Sequence, residues 1–202
     1  MEARPVRGGR ATVSRVVFLL EERSMKYLLE ALLPRLYPDL CFLCVPHEGK
    51  QDLEKSIPRK LSAWTEPGVR FCVIRDNDGA DCRALRRRLA DLCAQGGRPE
   101  TLVRIACQEL EAWYFGDLAA VARAYGRDED DFAQNARRNR FRDPDAIDQP
   151  AQALAELIGE FKKLSGARQI GPHLSRENRS ASYCALLSGL DRLRDELIRE
   201  GR

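Results

Sequence analysis

Arg70-Phe71-Cys72-Val73-Ile74-Arg75-Asp76-Asn77-Asp78-Gly79-Ala80-Asp81 decides how the rest of the chain is read. A short apolar run ends abruptly in aspartates and a glycine. A run of this kind is a buried strand, and aspartates just past its C-terminal end lie where open α/β sheets receive ligands. Asp76 and Asp78 are two residues apart, so an extended backbone projects both to one side. Carboxylates held together repel unless a cation or a proton lies between them, which points to a divalent metal site. The competing reading is a polar strand-to-helix turn in which Asp78 or Asp81 caps the next helix.

Upstream, Val13 to Leu20 forms a strand that runs into Glu21-Glu22, followed by helical apolar spacing from Met25 to Leu36. Leu40 to Pro46 forms a second buried strand, and Gln51 to Trp64 a helix. Downstream, Ala80 to Ala94 is a helix with Leu85, Leu89 and Leu92 inward and Arg83, Arg86, Arg87 and Arg88 outward. Thr101 to Cys107 is a fourth strand, again running into acid at Glu109 and Glu111. Short helices follow to Tyr125, the second capped by Asp117. Strand and helix therefore alternate, which predicts an α/β fold: a four-stranded, mostly parallel sheet flanked by helices, with a C-terminal helical extension. Parallel strands present their C-terminal ends on one edge, so Glu21, Asp76, Asp78 and Glu109 or Glu111 can converge there.

The expected organisation is a disordered tail over 1–12, an α/β domain over 13–126, and a charged linker with helical extension over 127–202, packed on the same core. Arg137-Arg138-Asn139-Arg140-Phe141-Arg142 is a basic cluster able to grip phosphates, with Phe141 available to stack; the competing reading is a solvated loop. One amphipathic helix is expected over Pro150 to Leu164, then a glycine-broken cationic loop from Lys162 to Leu174, then a last helix over Ser180 to Arg199.

Lys and Arg number 34 against 31 Asp and Glu, so net charge carries no argument for a nucleic-acid partner. No apolar run approaches the ~20 residues that span a bilayer, and the N-terminus lacks an apolar signal core. The seven cysteines are odd in number and most lie inside apolar runs, as reduced cytoplasmic thiols do. Cys41 and Cys44 form a CxxC within a strand, facing opposite sides, with no second pair to complete a zinc site. Neither a P-loop nor a dinucleotide-binding glycine motif follows the first strand.

Four segments in order carry a resemblance: Leu-Leu-Glu-Glu-x-Ser-Met (Leu19 to Met25), Asp-x-Asp-x-x-Asp-Cys (Asp76 to Cys82), Glu-x-Glu-Ala-Trp-Tyr (Glu109 to Tyr114) and Gly-x-x-x-Ile-x-Pro-His-Leu (Gly166 to Leu174). The chain resembles the toprim fold shared by topoisomerases, bacterial primases and nucleases of the overcoming-lysogenization-defect type. More narrowly it resembles a poorly characterised bacterial toprim-like family. The resemblance implies that Glu21 holds a metal or acts as acid/base, that Asp76 and Asp78 bind Mg²⁺ (or Mn²⁺), and that Glu109 and Glu111 help hold a second metal. Many relatives carry Glu-Gly-x-x-Glu at the first turn. Here Glu22 replaces the glycine and Met25 the second glutamate, with Glu22 or Asp81 as the substitute ligand.

The implied activity is a metal-dependent nuclease, acting on DNA or RNA beside an ABC-type ATPase in phage defence. Lys163, Arg168 or His173 would neutralise the transition state or protonate the leaving oxygen. Arg137, Arg138, Arg140, Arg142 and Arg168 would hold nucleic acid. A homo-oligomer is compatible with this reading. The alternative is a non-catalytic toprim module binding nucleic acid or the ATPase, with Met25 in its favour.

Overall fold

The computed structural model describes residues 14–200; the tail expected over 1–12 and the start of the first strand at Val13 lie outside the described residues. Strands β1 (Arg15–Leu20), β2 (Phe42–Pro46), β3 (Val69–Asp76) and β4 (Leu102–Ala106) form one parallel sheet in the order β2-β1-β3-β4. The expected α/β architecture, a four-stranded parallel sheet flanked by helices with a C-terminal helical extension, is the one observed. Helices α1 (Arg23–Leu36), α2 (Lys50–Ala63) and α3 (Cys82–Gln95) make the crossovers.

Period-two alternation along the strands sorts two cores. Phe18, Leu20, Cys72 and Ile74 face one side and pack with Leu28, Leu29 and Leu32 of α1. Val17, Leu19, Phe71 and Val73 face the other and pack with Leu53 and Ile57 of α2 and Leu85 and Leu89 of α3. Each such side chain taken from water stabilises the fold by roughly 1.5–3 kcal/mol.

After β4 come α4 (Ala112–Gly116), α5 (Leu118–Ala124), α6 (Glu129–Ala136), α7 (Pro150–Ile158), α8 (Lys163–Ile170) and α9 (Ala181–Glu200). Leu154 and Ile158 of α7, Ile170 of α8 and Tyr183 and Leu186 of α9 join the same core as Phe18 and Ile74. Asp117 caps α5 as expected, accepting from the Ala120 N–H at 3.0 Å.

Three local expectations are corrected. The charged stretch after Gly126 is not a plain linker: Asp128 accepts from the Asp131 N–H at 3.0 Å and starts α6, with Phe132 buried. One-turn helices follow at Asn139–Phe141 and Pro144–Ala146. Second, the helix expected over Pro150 to Leu164 breaks at Gly159, whose φ of 91° is open to glycine and costly for other residues. Third, Lys163–Ile170 is helix and not loop, because Gly166 sits inside α8 with the Phe161 ring packed against its bare Cα.

Candidate functional site at the C-terminal edge of the sheet

The chain leaves β1 for β2 on one side and returns past it to β3 on the other, so the topological switch point lies between β1 and β3. Glu21 and Asp76 flank it: the Asp76 N–H donates to Glu21 Oε2 at 3.1 Å. Adjoining loops are pinned to these strand ends. The Gly49 N–H donates to the Glu21 carbonyl at 3.0 Å, and the His47 N–H to the Leu20 carbonyl at 2.9 Å. Beyond β3, the Asn77 N–H reaches Ala106 O and the Asp78 N–H reaches Gln108 O, each at 3.1 Å. The loops bearing Asp78 and Glu109 are thus tied to each other.

Strand alternation aims the side chains. Asp76 shares the face of Cys72 and Ile74 and is 4% exposed. Coming up beneath it is Glu111, fully buried at the start of α4. Oδ1 of Asp76 and both carboxyl oxygens of Glu111 are buried without a hydrogen-bond partner among the described residues. Burial, then the charges of Glu111, Glu21 and Glu22, holds Asp76 well above the usual carboxylate range. Burial pushes Glu111 up to about 7, against the pull of Lys163. Glu21 is raised mainly by burial, partly offset by the Asp76 N–H.

Lys163, in the first turn of α8, points at this cluster, with Nζ 3.6 Å from Glu111 Oε2 and 3.6 Å from Glu109 Oε1. Burial works against its charge, yet Glu111, Glu22 and Glu109 outweigh that and lift it to about 12. Glu109 also accepts from the Ala151 N–H at 3.2 Å, capping α7 from outside. The Tyr114 hydroxyl is buried beside these acids, also unpartnered.

On the opposite face, Arg75 is 8% exposed and donates to Glu54 Oε1 at 2.5 Å; its Nε lies 3.7 Å from Glu21 Oε2. Arg88 holds the other Glu54 oxygen at 2.5 Å. Glu21 therefore bridges the two faces, between a buried arginine and a buried carboxyl group.

Asp76 and Asp78 do not project together. Asp78 has a φ of 49°, which ends the extended backbone, and its exposed side chain pairs with Lys50 Nζ at 3.0 Å. Asp81 caps α3, its Oδ1 accepting from the N–H groups of Arg83 at 2.7 Å and Ala84 at 3.2 Å. His173 lies beyond the C-terminal end of α8, a helix length of on the order of 10 Å from Lys163. Arg168 stacks over the Tyr27 ring at 3.8 Å. Arg137, Arg138 and Arg142 are exposed, and Arg140 pairs with Glu156 at 2.8 Å. Phe141 is not available to stack on a base: it is buried against Phe115, ring centroids 4.8 Å apart. Arg140 and Arg142 line a cleft of about 790 Å³, which shares Asp148 with a smaller one lined by Asp78 and Glu109. Lys50, Arg75 and Tyr114 were missed as members of this edge. For Lys50 the usable signal was its place at the first residue of the helix after β2.

Among the described residues no group of three or more His, Cys, Asp or Glu side chains stands arranged to hold a metal ion. The reason is local: Asp78 turns outward to Lys50, and Lys163 supplies the positive charge beside Glu109 and Glu111. The donor chemistry nonetheless fits a hard divalent cation. Buried carboxyl oxygens of Asp76 and Glu111 lack a hydrogen bond among the described residues, and Asp76 is neighboured by both Glu111 and Glu21, an all-oxygen set of the kind Mg²⁺ and Mn²⁺ take.

The profile of DUF4276, a domain of unknown function, matches residues 20–188. The chain belongs to this family. No curated protein gives a match. Among solved structures, the C-terminal region of the Burkholderia pseudomallei OLD protein is similar at a TM-score of 0.57 and 17% identity, over 91% of this chain and 98% of that one. The corresponding region of the Xanthomonas campestris pv. campestris OLD protein is similar at a TM-score of 0.54 and 19% identity, over 93% and 98%. At these identities the likeness establishes the shared fold for this DUF4276 chain. No helix among its described residues is long and apolar enough to cross a membrane.

Proposed function

We propose that this chain is a metal-dependent nuclease whose centre is Glu21, Asp76 and Glu111. The observation that carries the reading is the pair of buried carboxyl groups, Asp76 and Glu111, with unpartnered oxygens at the sheet's switch point. Burying such groups is costly without a partner, and a structural domain gains nothing by gathering them. Their raised proton affinity in the metal-free protein is what a cation site shows when its charge is missing.

Glu21, Asp76 and Glu111 would hold Mg²⁺ or Mn²⁺, with Glu22 or Glu109 completing the set. When bound, the cation supplies charge stabilisation to the phosphodiester and acidifies water. Glu21 is kept in place by the Asp76 N–H and by Arg75. Lys163, charged at all working pH values, is placed to neutralise developing phosphate charge once the acids turn to the metal. Arg140 and Arg142, in the cleft adjoining Asp78, are placed to hold flanking phosphates. The sequence resemblance supports a role beside an ABC-type ATPase in phage defence, in the cytoplasm.

The test is incubation of the pure protein with plasmid, single-stranded DNA and RNA, with EDTA, Mg²⁺ or Mn²⁺, alone and with the neighbouring ATPase. Cleavage that needs metal and vanishes in Asp76→Ala is expected; absence of cleavage in every combination overturns the nuclease reading. Met25, fully buried in the α1 core where many relatives place a glutamate, favours the alternative of a non-catalytic module. Nucleic-acid or ATPase binding without cleavage under all those conditions would select it.

A further inference from the structure

Arginines from three elements meet along the open edge of β4. Arg104 of β4 lies across α9: its Nε donates to Ala185 O at 2.8 Å and its Nη1 to Val103 O at 2.9 Å. Gly189 makes the room, since a Cβ there would come within 2.5 Å of Arg104 Nη2. Arg192, one turn after Gly189, is exposed on that same side of α9. Arg86 of α3 is exposed across the edge of β4, on the opposite face of the sheet from α9. Burial, and the like charges of Arg86 and Arg192, lower the proton affinity of Arg104, with Cys72 opposing. No ion pair among the described residues neutralises Arg86, Arg104 or Arg192. Arginines so placed repel one another at a cost unless an anion joins them.

This edge of β4 leads toward the acid cluster. At its upper end the first turns of α3 and α9 close on the end of β4: Cys82 and Cys107 sulfurs are 3.5 Å apart, and the Cys107 N–H donates to Ser182 Oγ at 3.4 Å. That junction adjoins the loops carrying Asp78 and Glu109. Arg83 and Arg87, also exposed and without an ion-pair partner among the described residues, lie one turn apart on α3 and continue the positive row to the Asp81 cap, two residues before Arg83.

We infer that the open edge of β4, between α3 on one face of the sheet and α9 on the other, is a binding track for the phosphodiester backbone of nucleic acid, gripped by Arg86, Arg104 and Arg192 and continued by Arg83 and Arg87. The inference rests on the nuclease reading and gives that site its substrate path. Unlike the 137–142 segment, where Glu156 takes up Arg140, this row makes no ion pair among the described residues, although the Asp81 carboxylate faces Arg83 and Arg87.

Fluorescence anisotropy with labelled 20-mer duplex and single strand, in EDTA so that no cleavage intervenes, tests the track. Arg86→Gln/Arg192→Gln and Arg83→Gln/Arg87→Gln change exposed side chains; circular dichroism checks their folding. Each double variant is expected to weaken binding about tenfold at 0.1 M salt and to flatten the log–log salt slope by about 2, as loss of two phosphate contacts does. Unchanged affinity and slope in both variants overturns the proposal, as does a wild-type protein that binds neither oligonucleotide. Binding of poly-glutamate in preference to either oligonucleotide would assign the row to an acidic protein segment and also overturn it. Asp76→Asn separates the two readings: it should abolish cleavage in Mn²⁺ yet leave binding in EDTA intact. A failed track with intact metal-dependent cleavage leaves the nuclease reading standing.

Discussion

The backbone N–H of Asp76 donates to the carboxylate of Glu21 at 3.1 Å, joining the ends of β3 and β1 across the switch point of the sheet. Register sets Glu21 level with Arg75, because Leu20 pairs with Ile74, and Asp76 follows one residue later with its N–H in reach of the Glu21 side chain. If these carboxylates hold the catalytic cation, Asp76→Asn and Glu21→Gln should each lower Mn²⁺-dependent plasmid cleavage by about 10²–10³-fold or more, the scale of losing one preorganised charge at a reacting centre. Both variants keep the side-chain shape, so thermal midpoints should hold within a few degrees. Retention of more than a tenth of wild-type activity in either would remove that residue from the centre.

Glu111 and Asp76 make the metal-free protein sensitive to alkali rather than to acid. Carboxyl groups with raised proton affinity bind protons in the folded state that the unfolded chain has already released. For Glu111 that stabilisation is therefore complete below pH 4.5, the ordinary glutamate value, and is lost as pH rises through about 7. Glu111→Gln removes one such group. In EDTA at pH 8 the variant should be more stable than wild type by on the order of 2 kcal/mol, or several degrees in Tm, and the gap should close at pH 5. Only the difference between the two proteins is diagnostic, because His47, whose proton affinity burial lowers, acts with the opposite sign. Adding Mn²⁺ at pH 8 should raise the wild-type Tm and leave the variant nearly unmoved. A gap independent of pH would show that Glu111 is not buried as a titrating acid.

Among the described residues, only Glu54 and Glu21 answer the charge of the buried Arg75. Removing one partner of such a group leaves an uncompensated charge in the core, which costs about 3–5 kcal/mol, far more than loss of an exposed pair. Glu54→Ala is thus expected to lower the urea midpoint sharply, whereas Glu48→Ala, which breaks the exposed pair with Arg23, should change stability by less than about 1 kcal/mol. With Glu54 gone, Glu21 is the remaining anion for Arg75, so activity should fall further than the folded fraction does. Equal effects from the two substitutions would deny Arg75 its role in positioning Glu21.

Apolar runs ending in acid made the sheet legible. Val17 to Leu20 and Phe71 to Ile74 are too short for helices and too apolar for a surface, and parallel strands must share an edge. That logic reached Glu21, Asp76 and the Glu109–Glu111 segment. It stopped where one residue changes backbone region: Asp78, at a φ of 49°, leaves the extended pattern that would have set it beside Asp76. Two-residue spacing cannot reveal that. Nor can spacing show which of Glu109 and Glu111 is buried, since the answer depends on α4 starting at Ala112 and on α7 presenting Ala151 to Glu109. The meeting of Arg86, Arg104 and Arg192 is farther still from view, because their separations are set by helix packing around β4.

Arg179 governs the last of the basic segments. Its guanidinium donates to the carbonyls of Phe115 at 2.9 Å, Arg142 at 3.3 Å, and Ala136 and Phe141 at 3.4 Å, gathering the end of α6 and the following turns onto α4. Lysine lacks the planar fork needed to serve several acceptors at once. Arg179→Lys should therefore free the 137–142 segment even though the charge is kept. Limited trypsin digestion should cut at Arg137, Arg138, Arg140 or Arg142 at least several-fold faster than in wild type, and amide exchange should rise over the same residues. The sheet does not depend on this clamp, so exchange in β1 and β3 should stay unchanged. Phe141, held by its stack on Phe115, gives the matching control: Phe141→Ala should open the same segment and, by emptying a buried site, also cost about 3–5 kcal/mol of stability. Protection of 137–142 that survives both substitutions would show that the segment is held by something other than this clamp and stack.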